Sequence, residues 1–277
     1  MRDATRIPAL RLSRYELSVI EQWLAPMARW GPVLVVGGAA LAFVVFAVVA
    51  AVRGRPRTER VEKAGGSILL PKGAMEYGFW LFGPVTRTAI RLEVHPDVFS
   101  WASLVLQLGA ALLFACGWFG SGASLLIVGA ACDAADGAVA RGRAMASDAG
   151  EVLDAAVDRW AEMAVFFGFA WYYRSIWWGF ILAVGACAGS VMVSYMRAKA
   201  EVFGIDATIG LMQRHERAVW LAVATLGSSI WEAWRPTPSE EFAFHTPVLV
   251  TLGVIAVLAN WTGWLRMQVA RQELRKR

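Results

Sequence analysis

Asp133-Ala-Ala-Asp136-Gly137-Ala-Val-Ala140-Arg141, followed by Gly150, Asp154 and Asp158, decides how this chain is read. These four carboxylates fall between two strongly apolar segments, Gly120–Ala131 and Met163–Trp171. An ionised carboxylate beside lipid costs on the order of a few kcal/mol unless it is paired, hydrated or bound to a cation. Four together need a concentrated positive charge. A divalent metal is the natural source, since hard cations prefer carboxylate oxygen.

The spacing gathers the acids. Asp133 and Asp136 stand three apart, and Asp136 and Ala140 four apart, so all three share one helical face. Gly150, Asp154 and Asp158 repeat at four along a second helix. Arg143–Asp148 is a short polar connection between the two. Antiparallel helices joined there bring both acid faces together. Asp148 is expected to cap the second helix, with Glu151 completing a capping box.

The pattern D-x2-D-G-x2-A-R-x8-G-x3-D-x3-D is complete in this chain and resembles the signature of the CDP-alcohol phosphotransferase (CDP-alcohol phosphatidyltransferase) family. The motif covers Asp133–Asp158, and the broader resemblance runs from about Glu76 to the C-terminus. It implies an enzyme of phospholipid biosynthesis. A phosphatidyl-type group moves from a CDP-linked lipid, CDP-diacylglycerol, to an alcohol that attacks the β-phosphorus, and CMP leaves. It also implies two divalent ions, Mg²⁺ or Mn²⁺, held by Asp133, Asp136, Asp154 and Asp158, with Asp158 as the catalytic base. Paired ions neutralise charge on the transferring phosphate and hold the reacting groups in line. Gly137, Ala140 and Gly150 are implied to shape the donor's cytidine pocket, and Arg141 to face phosphate. Taken singly, these small residues fit helix–helix packing as well. Family members are commonly homodimers, so a homodimer is expected.

A second stretch bears on the acceptor. Ser194-Tyr195-Met196-Arg197-Ala198-Lys199-Ala200-Glu201, then Gly204, Gly210, Arg214, Glu216 and Arg217, resembles the S-Y-x-[RK]-A-[RK]-A-E … G … G-x3-R-x-E-R segment of the phosphatidylinositol-phosphate synthase-like branch. Arg159 fits that branch too. A basic pocket of Arg159, Arg197, Arg214 and Arg217 suits an anionic acceptor, inositol phosphate first. The same arginines also fit as cytoplasmic anchors or headgroup contacts. Glycerol phosphate, serine and free inositol are alternative acceptors for the same chemistry. A transporter with an intramembrane cation site is the alternative of a different class. Transport sites usually lie near the midplane at repeat interfaces, whereas these acids lie near one end and no internal repeat is visible.

Composition sets the frame. The chain has 277 residues, of which 57% are hydrophobic and 18% charged, with a mean hydropathy of +0.48. That balance excludes an ordinary soluble domain. Apolar segments long enough to span lie at Pro32–Val52, Val98–Phe119, Ala123–Val139, Val152–Tyr173, Ile176–Met196, Ala218–Trp234 and Pro247–Met267. The expected fold is therefore an all-α integral membrane protein. It comprises a six-transmembrane-helix catalytic bundle, a cytoplasmic surface helix at Glu76–Glu93 and an extra N-terminal hydrophobic helix. The chain divides into an anchor segment (1–53), a polar linker (54–75) and the catalytic membrane domain (76–277). The anchor opens on an amphipathic pattern of Leu12, Tyr15, Val19, Ile20, Trp23 and Leu24. It lacks the short apolar core and cleavage site of a removable signal peptide. Gly120–Gly122 is expected to form the hairpin turn after the first helix of the bundle. Asp97 and Ser100 are expected as caps at that helix's start.

The net charge of +5 invites a nucleic-acid reading, but its placement argues against one. Basic residues concentrate at Arg53–Arg91, Arg141–Arg143, Arg197–Arg217 and Arg266–Arg277, and the intervening turns carry only Arg174 and Arg235. This is positive-inside alternation. The expected location is the cell (inner) membrane, embedded in the bilayer, and the alternation is expected to turn the acidic site toward the cytoplasm. Cys116, Cys132 and Cys187 read as small buried residues rather than disulfide partners.

Overall fold

The computed structural model describes residues 14–54, 72–233 and 245–277. Most of the expected linker, the residues before Arg14 and the Trp234 end of one expected span lie outside these residues. The described elements are helical: α1 (Arg14–Arg53), α2 (Lys72–Arg91), α3 (Pro96–Ala115), α4 (Phe119–Gly142), α5 (Asp148–Tyr172), a 3₁₀ turn (Tyr173–Ser175), α6 (Trp177–Val202), α7 (Arg214–Ala233) and α8 (Thr246–Lys276). Helix α2 begins inside the segment expected to be linker.

Helices are the economical solution here. Lipid offers no hydrogen-bonding partner, so each spanning segment must satisfy its own backbone. Val33–Val52 of α1, α3, α4, α6 and α8 are long and apolar enough to cross a membrane. Helix α5 is largely apolar over its second half and α7 from Ala218 to Leu226, but both are charged over their first turns. The outer surface is apolar: Leu112, Trp177 and Val257 are 70%, 77% and 68% exposed. Lipid, not water, is the solvent that such a surface fits. The chain is an integral membrane protein.

Four local expectations are corrected. The turn after α3 is made at Cys116–Trp118, because Gly117 takes φ +85° and lets the Trp118 N–H reach back to the Leu113 carbonyl at 2.8 Å. Gly120–Gly122 are already helical, and a side chain on Gly122 would meet the Phe114 ring. Helix α5 is capped by Ser147, whose Oγ accepts from the Gly150 N–H at 3.2 Å, so Asp148 is the first helical residue rather than the cap. At the start of α3, the His95 ring accepts from the Asp97 N–H and Pro96 opens the helix. Ser100 is therefore freed for another task. Among the cysteines only Cys187 is buried; Cys132 is half-buried and Cys116 exposed.

Helix α3 packs between α4 and α5, α6 packs along α8, and α7 closes the bundle against α4 and α8. Helix α1 lies against α4 and α7, and α2 against α4. The apolar core gathers Phe114, Phe119, Phe166, Phe169, Leu252 and Ile255, with Phe114 and Phe169 stacked at 4.5 Å. Gly168 lets α5 approach the Ala111 backbone of α3, where a side chain would overlap the carbonyl. Helices α4 and α5 both pack on α3 but hardly on each other. The gap that this leaves, away from the aromatic core, receives the acids.

Candidate active site

Asp133 and Asp136 come from the C-terminal part of α4, and Asp154 and Asp158 from the first half of α5. One carboxylate oxygen each from Asp133, Asp154 and Asp158 lie within 4.8 Å of one another. Three like charges that close repel unless a cation lies among them. Arg214, the first residue of α7, supplies one from the side. Its Nη2 donates to Asp133 Oδ1 at 2.8 Å, and its Nη1 pairs with Asp158 Oδ2. Burial works against the Arg214 charge, but Asp133 and Asp158 outweigh it and hold the guanidinium above its ordinary range.

Arg214 does not satisfy Asp158 completely. Asp158 is 5% exposed, and its Oδ1 is buried with no hydrogen-bond partner. An unpartnered carboxylate oxygen beside two further carboxylates is the donor set of a hard divalent cation. The residues therefore fit the metal that their sequence implies.

Asp136 stands outside the three-acid group. It is 6% exposed, and its Oδ2 accepts from Ser100 Oγ at 2.7 Å across the α3–α4 contact. Its Oδ1 accepts from the Gly137 N–H. Three residues along a helix leave side chains roughly 60° apart, enough to turn Asp133 toward α5 and Asp136 toward α3. The motif's acids thus divide into three that converge and one held beside them.

The small residues of the motif are not explained by packing. A side chain at Gly150 would meet only Ser147 Oγ at 3.4 Å, an ordinary contact. At Gly137 it would meet the movable end of Arg141 at 3.1 Å. Ala140 is half-buried and Arg141 exposed, on the same helix end. Gly168, which has backbone against it, is what a packing glycine looks like in this fold.

The arginines divide as well. Arg159, Arg214 and Arg217 lie within electrostatic reach of one another around Glu162 and Asp158, and Arg159 Nη1 is buried without a hydrogen-bond partner. Arg217 is not open to an acceptor as expected. It is 1% exposed, with Nε on Glu162 Oε1 at 2.8 Å and Nη1 on the Met212 carbonyl at 2.6 Å. A fully buried guanidinium needs such partners. Arg197 also departs from the expected pocket: it is exposed and paired with Glu201 at 2.9 Å. Two site residues escaped the sequence reading. Glu162 continues the period-four row of Gly150, Asp154 and Asp158, a signal that was there to be used. Ser100 carries no local signal beyond its place near the start of α3.

Fold and site together define an integral membrane protein with an acidic centre that fits a divalent cation at one end of a helical bundle. More narrowly, the chain belongs to the CDP-alcohol phosphatidyltransferase family, whose model matches residues 93–269. It is accordingly a transferase of phospholipid synthesis. It is similar to a phosphatidylinositol phosphate synthase of Mycobacteroides abscessus, 31% identical over 68% of this chain and 82% of that protein. It is also similar to an archaetidylinositol phosphate synthase of Methanothermobacter thermautotrophicus, 29% identical over 55% and 80%. Among solved structures it resembles the phosphatidylinositol phosphate synthase of Mycobacterium tuberculosis with CDP-DAG bound. The TM-score is 0.57 and the identity 26%, over 68% of this chain and 92% of that one. The same enzyme in complex with manganese and citrate matches at a TM-score of 0.56 and 26% identity, over 68% and 88%. The acidic cluster here and the manganese there support the use of a divalent metal.

Proposed function

We propose that this enzyme transfers the phosphatidyl group of CDP-diacylglycerol to inositol phosphate and releases CMP. The single observation that carries this acceptor is the position of Arg214 and Arg159 beside the Asp133–Asp158 cluster, where an anionic alcohol would meet two guanidinium groups. The named relatives support the same reading.

Asp133, Asp136, Asp154 and Asp158 would hold two divalent ions, Mg²⁺ or Mn²⁺. When bound, such ions neutralise charge that builds on the transferring phosphate. The protein's own groups do the rest. Gly137, Ala140 and Gly150 leave room for the cytidine against the helix backbones, and Arg141 reaches the donor phosphates. Asp158 takes the proton from the acceptor hydroxyl. Arg159 and Arg214 receive the acceptor's anionic group. Arg217, tied to Glu162, completes this basic wall from behind. Helices α3 to α8 form the six-span catalytic unit, with the site facing the cytoplasm at the inner membrane. Residues 1–53 act as an anchor joined by the 54–75 linker. Two copies of the chain associate as a homodimer.

Two substitutions probe this assignment. Ser100→Ala strips the buried Asp136 carboxylate of its hydroxyl partner. Loss of a group that orients a metal ligand costs about 10–100-fold in metal affinity, so the Mg²⁺ needed for half-maximal turnover rises by that factor. Gly150→Ala meets nothing closer than 3.4 Å, so thermal stability holds. The KM for CDP-diacylglycerol nevertheless rises, because the added methyl occupies donor space. An unchanged donor KM would return Gly150 to an ordinary helix position. The acceptor itself is tested by CMP release from CDP-diacylglycerol with a panel of alcohols. Release with glycerol phosphate or serine, and none with inositol phosphate, would replace the proposed acceptor.

A further inference from the structure

Arg214 is delivered to the acids by the segment that precedes it. Phe203–Gln213 joins α6 to α7 and contains three left-handed backbone positions, Gly204 at φ +65°, Gly210 at φ +107° and Met212 at φ +59°. A methionine persists there only where its surroundings fix the backbone. Helix α8 supplies the fixing. Thr262 is fully buried, and its Oγ1 both accepts from the Leu211 N–H at 3.1 Å and donates to the Leu211 carbonyl at 2.7 Å. Arg266 is 3% exposed and donates from Nε to the Ile209 carbonyl and from Nη1 to the Val193 carbonyl, both at 2.9 Å. One buried guanidinium therefore ties the loop to α6 as well as to α8. A side chain on Gly210 would overlap the Thr262 methyl, so loop and α8 are in direct contact there.

The other end of the loop is held from α7. Arg217 Nη1 donates to the Met212 carbonyl at 2.6 Å, and Glu216 Oε2 accepts from the Gln213 N–H at 2.6 Å. Every residue from Leu211 to Gln213 is thus pinned by a side chain, and the next residue is Arg214. Neither Thr262 nor Arg266 is among the clustered acids or their bonded partners. Their hydrogen bonds go to backbone that carries the site.

We propose that Thr262 and Arg266 are positioning residues of the acceptor step: by pinning Leu211 and Ile209 they fix the loop that carries Arg214 onto Asp133 and Asp158. The proposal rests on the reading of Arg214 as an acceptor-binding cation. Without the latch the strained turn at Met212 relaxes and Arg214 leaves its place. Small misplacements of a binding group are costly even when they originate away from the chemistry.

The test is steady-state kinetics on full-length protein in detergent or vesicles, with CDP-diacylglycerol, Mg²⁺ and inositol phosphate. Thr262→Val keeps the shape and removes both hydrogen bonds to Leu211. It is expected to raise the acceptor KM about tenfold, the size expected for two hydrogen bonds lost together. The donor KM stays as it was, and Thr262→Ser restores the acceptor KM. Arg214→Gln raises the acceptor KM by itself, and Thr262→Val added to Arg214→Gln raises it no further, because the latch acts through that side chain. Equal effects on donor and acceptor KM, or an unchanged acceptor KM in Thr262→Val, would overturn the latch. So would full additivity with Arg214→Gln. An unchanged acceptor KM in Arg214→Gln itself would instead overturn the acceptor reading on which the latch depends. Should Thr262→Val not fold, Thr262→Ala makes the same deletion with a smaller side chain and is read by the same KM split.

Discussion

Asp158→Asn is expected to lower CMP release by about 10²–10⁴-fold, the range of a lost general base, while CDP-diacylglycerol still binds. The reasoning starts from placement. Asp158 is the most enclosed of the three converging acids, with one oxygen on Arg214 and the other buried without a hydrogen-bond partner. An amide fills the same space and keeps a carbonyl oxygen, so the helix contacts survive. It cannot accept a proton from the acceptor hydroxyl. In the proposed site, donor binding draws on Gly137, Ala140, Arg141 and Gly150 together with Asp133 and Asp154, all of which the substitution leaves in place. Single-turnover measurement separates the two effects. Near-normal turnover in this variant would remove Asp158 from the role of base, and lost donor binding would make it chiefly a metal ligand.

Removal of divalent ions is expected to reduce turnover to background, and added Mg²⁺ or Mn²⁺ to restore it. Three carboxylates lie within 4.8 Å of one another, and Arg214 pairs with two of them, Asp133 and Asp158. Chelation leaves that arrangement folded but without the charge that the transferring phosphate requires. Asp133→Ala is expected to behave like the chelated enzyme and to resist rescue at any ion concentration. It also frees Arg214 from one of its two acidic partners. Chelator-resistant turnover would show that the acids serve an ion-pair network instead.

The acid motif made the centre of this site legible because its spacing repeats along helices. Asp154 and Asp158 fell on one face, and Asp133 met them across the gap beside α3. The same periodicity extended to Glu162, one turn beyond the pattern that was read. Ser100 and Thr262 were not legible in this way. Each is a single hydroxyl on an apolar helix, and only packing determines which backbone or carboxylate it meets. The arginines illustrate the opposite failure. A cluster of cations in sequence resembled one pocket, but Arg217 was claimed by Glu162 and Arg197 by Glu201. Charge composition indicates that a pocket can be basic; burial and placement decide which cations face it. The turn at Gly117 and the cap at Ser147 were displaced from expectation by one to a few residues. Several small or polar residues compete for such positions, and hydrogen-bond geometry selects among them.

The account's central claim is that the acidic cluster carries a metal-dependent transfer from a CDP-linked lipid to an anionic alcohol. Its most direct test is CMP release by purified protein given CDP-diacylglycerol, Mg²⁺ and inositol phosphate, beside the Asp133→Ala variant. The account predicts release that requires both the alcohol and the ion and that is absent in the variant. Release that persists in Asp133→Ala, or no release with any alcohol from folded protein, would contradict it.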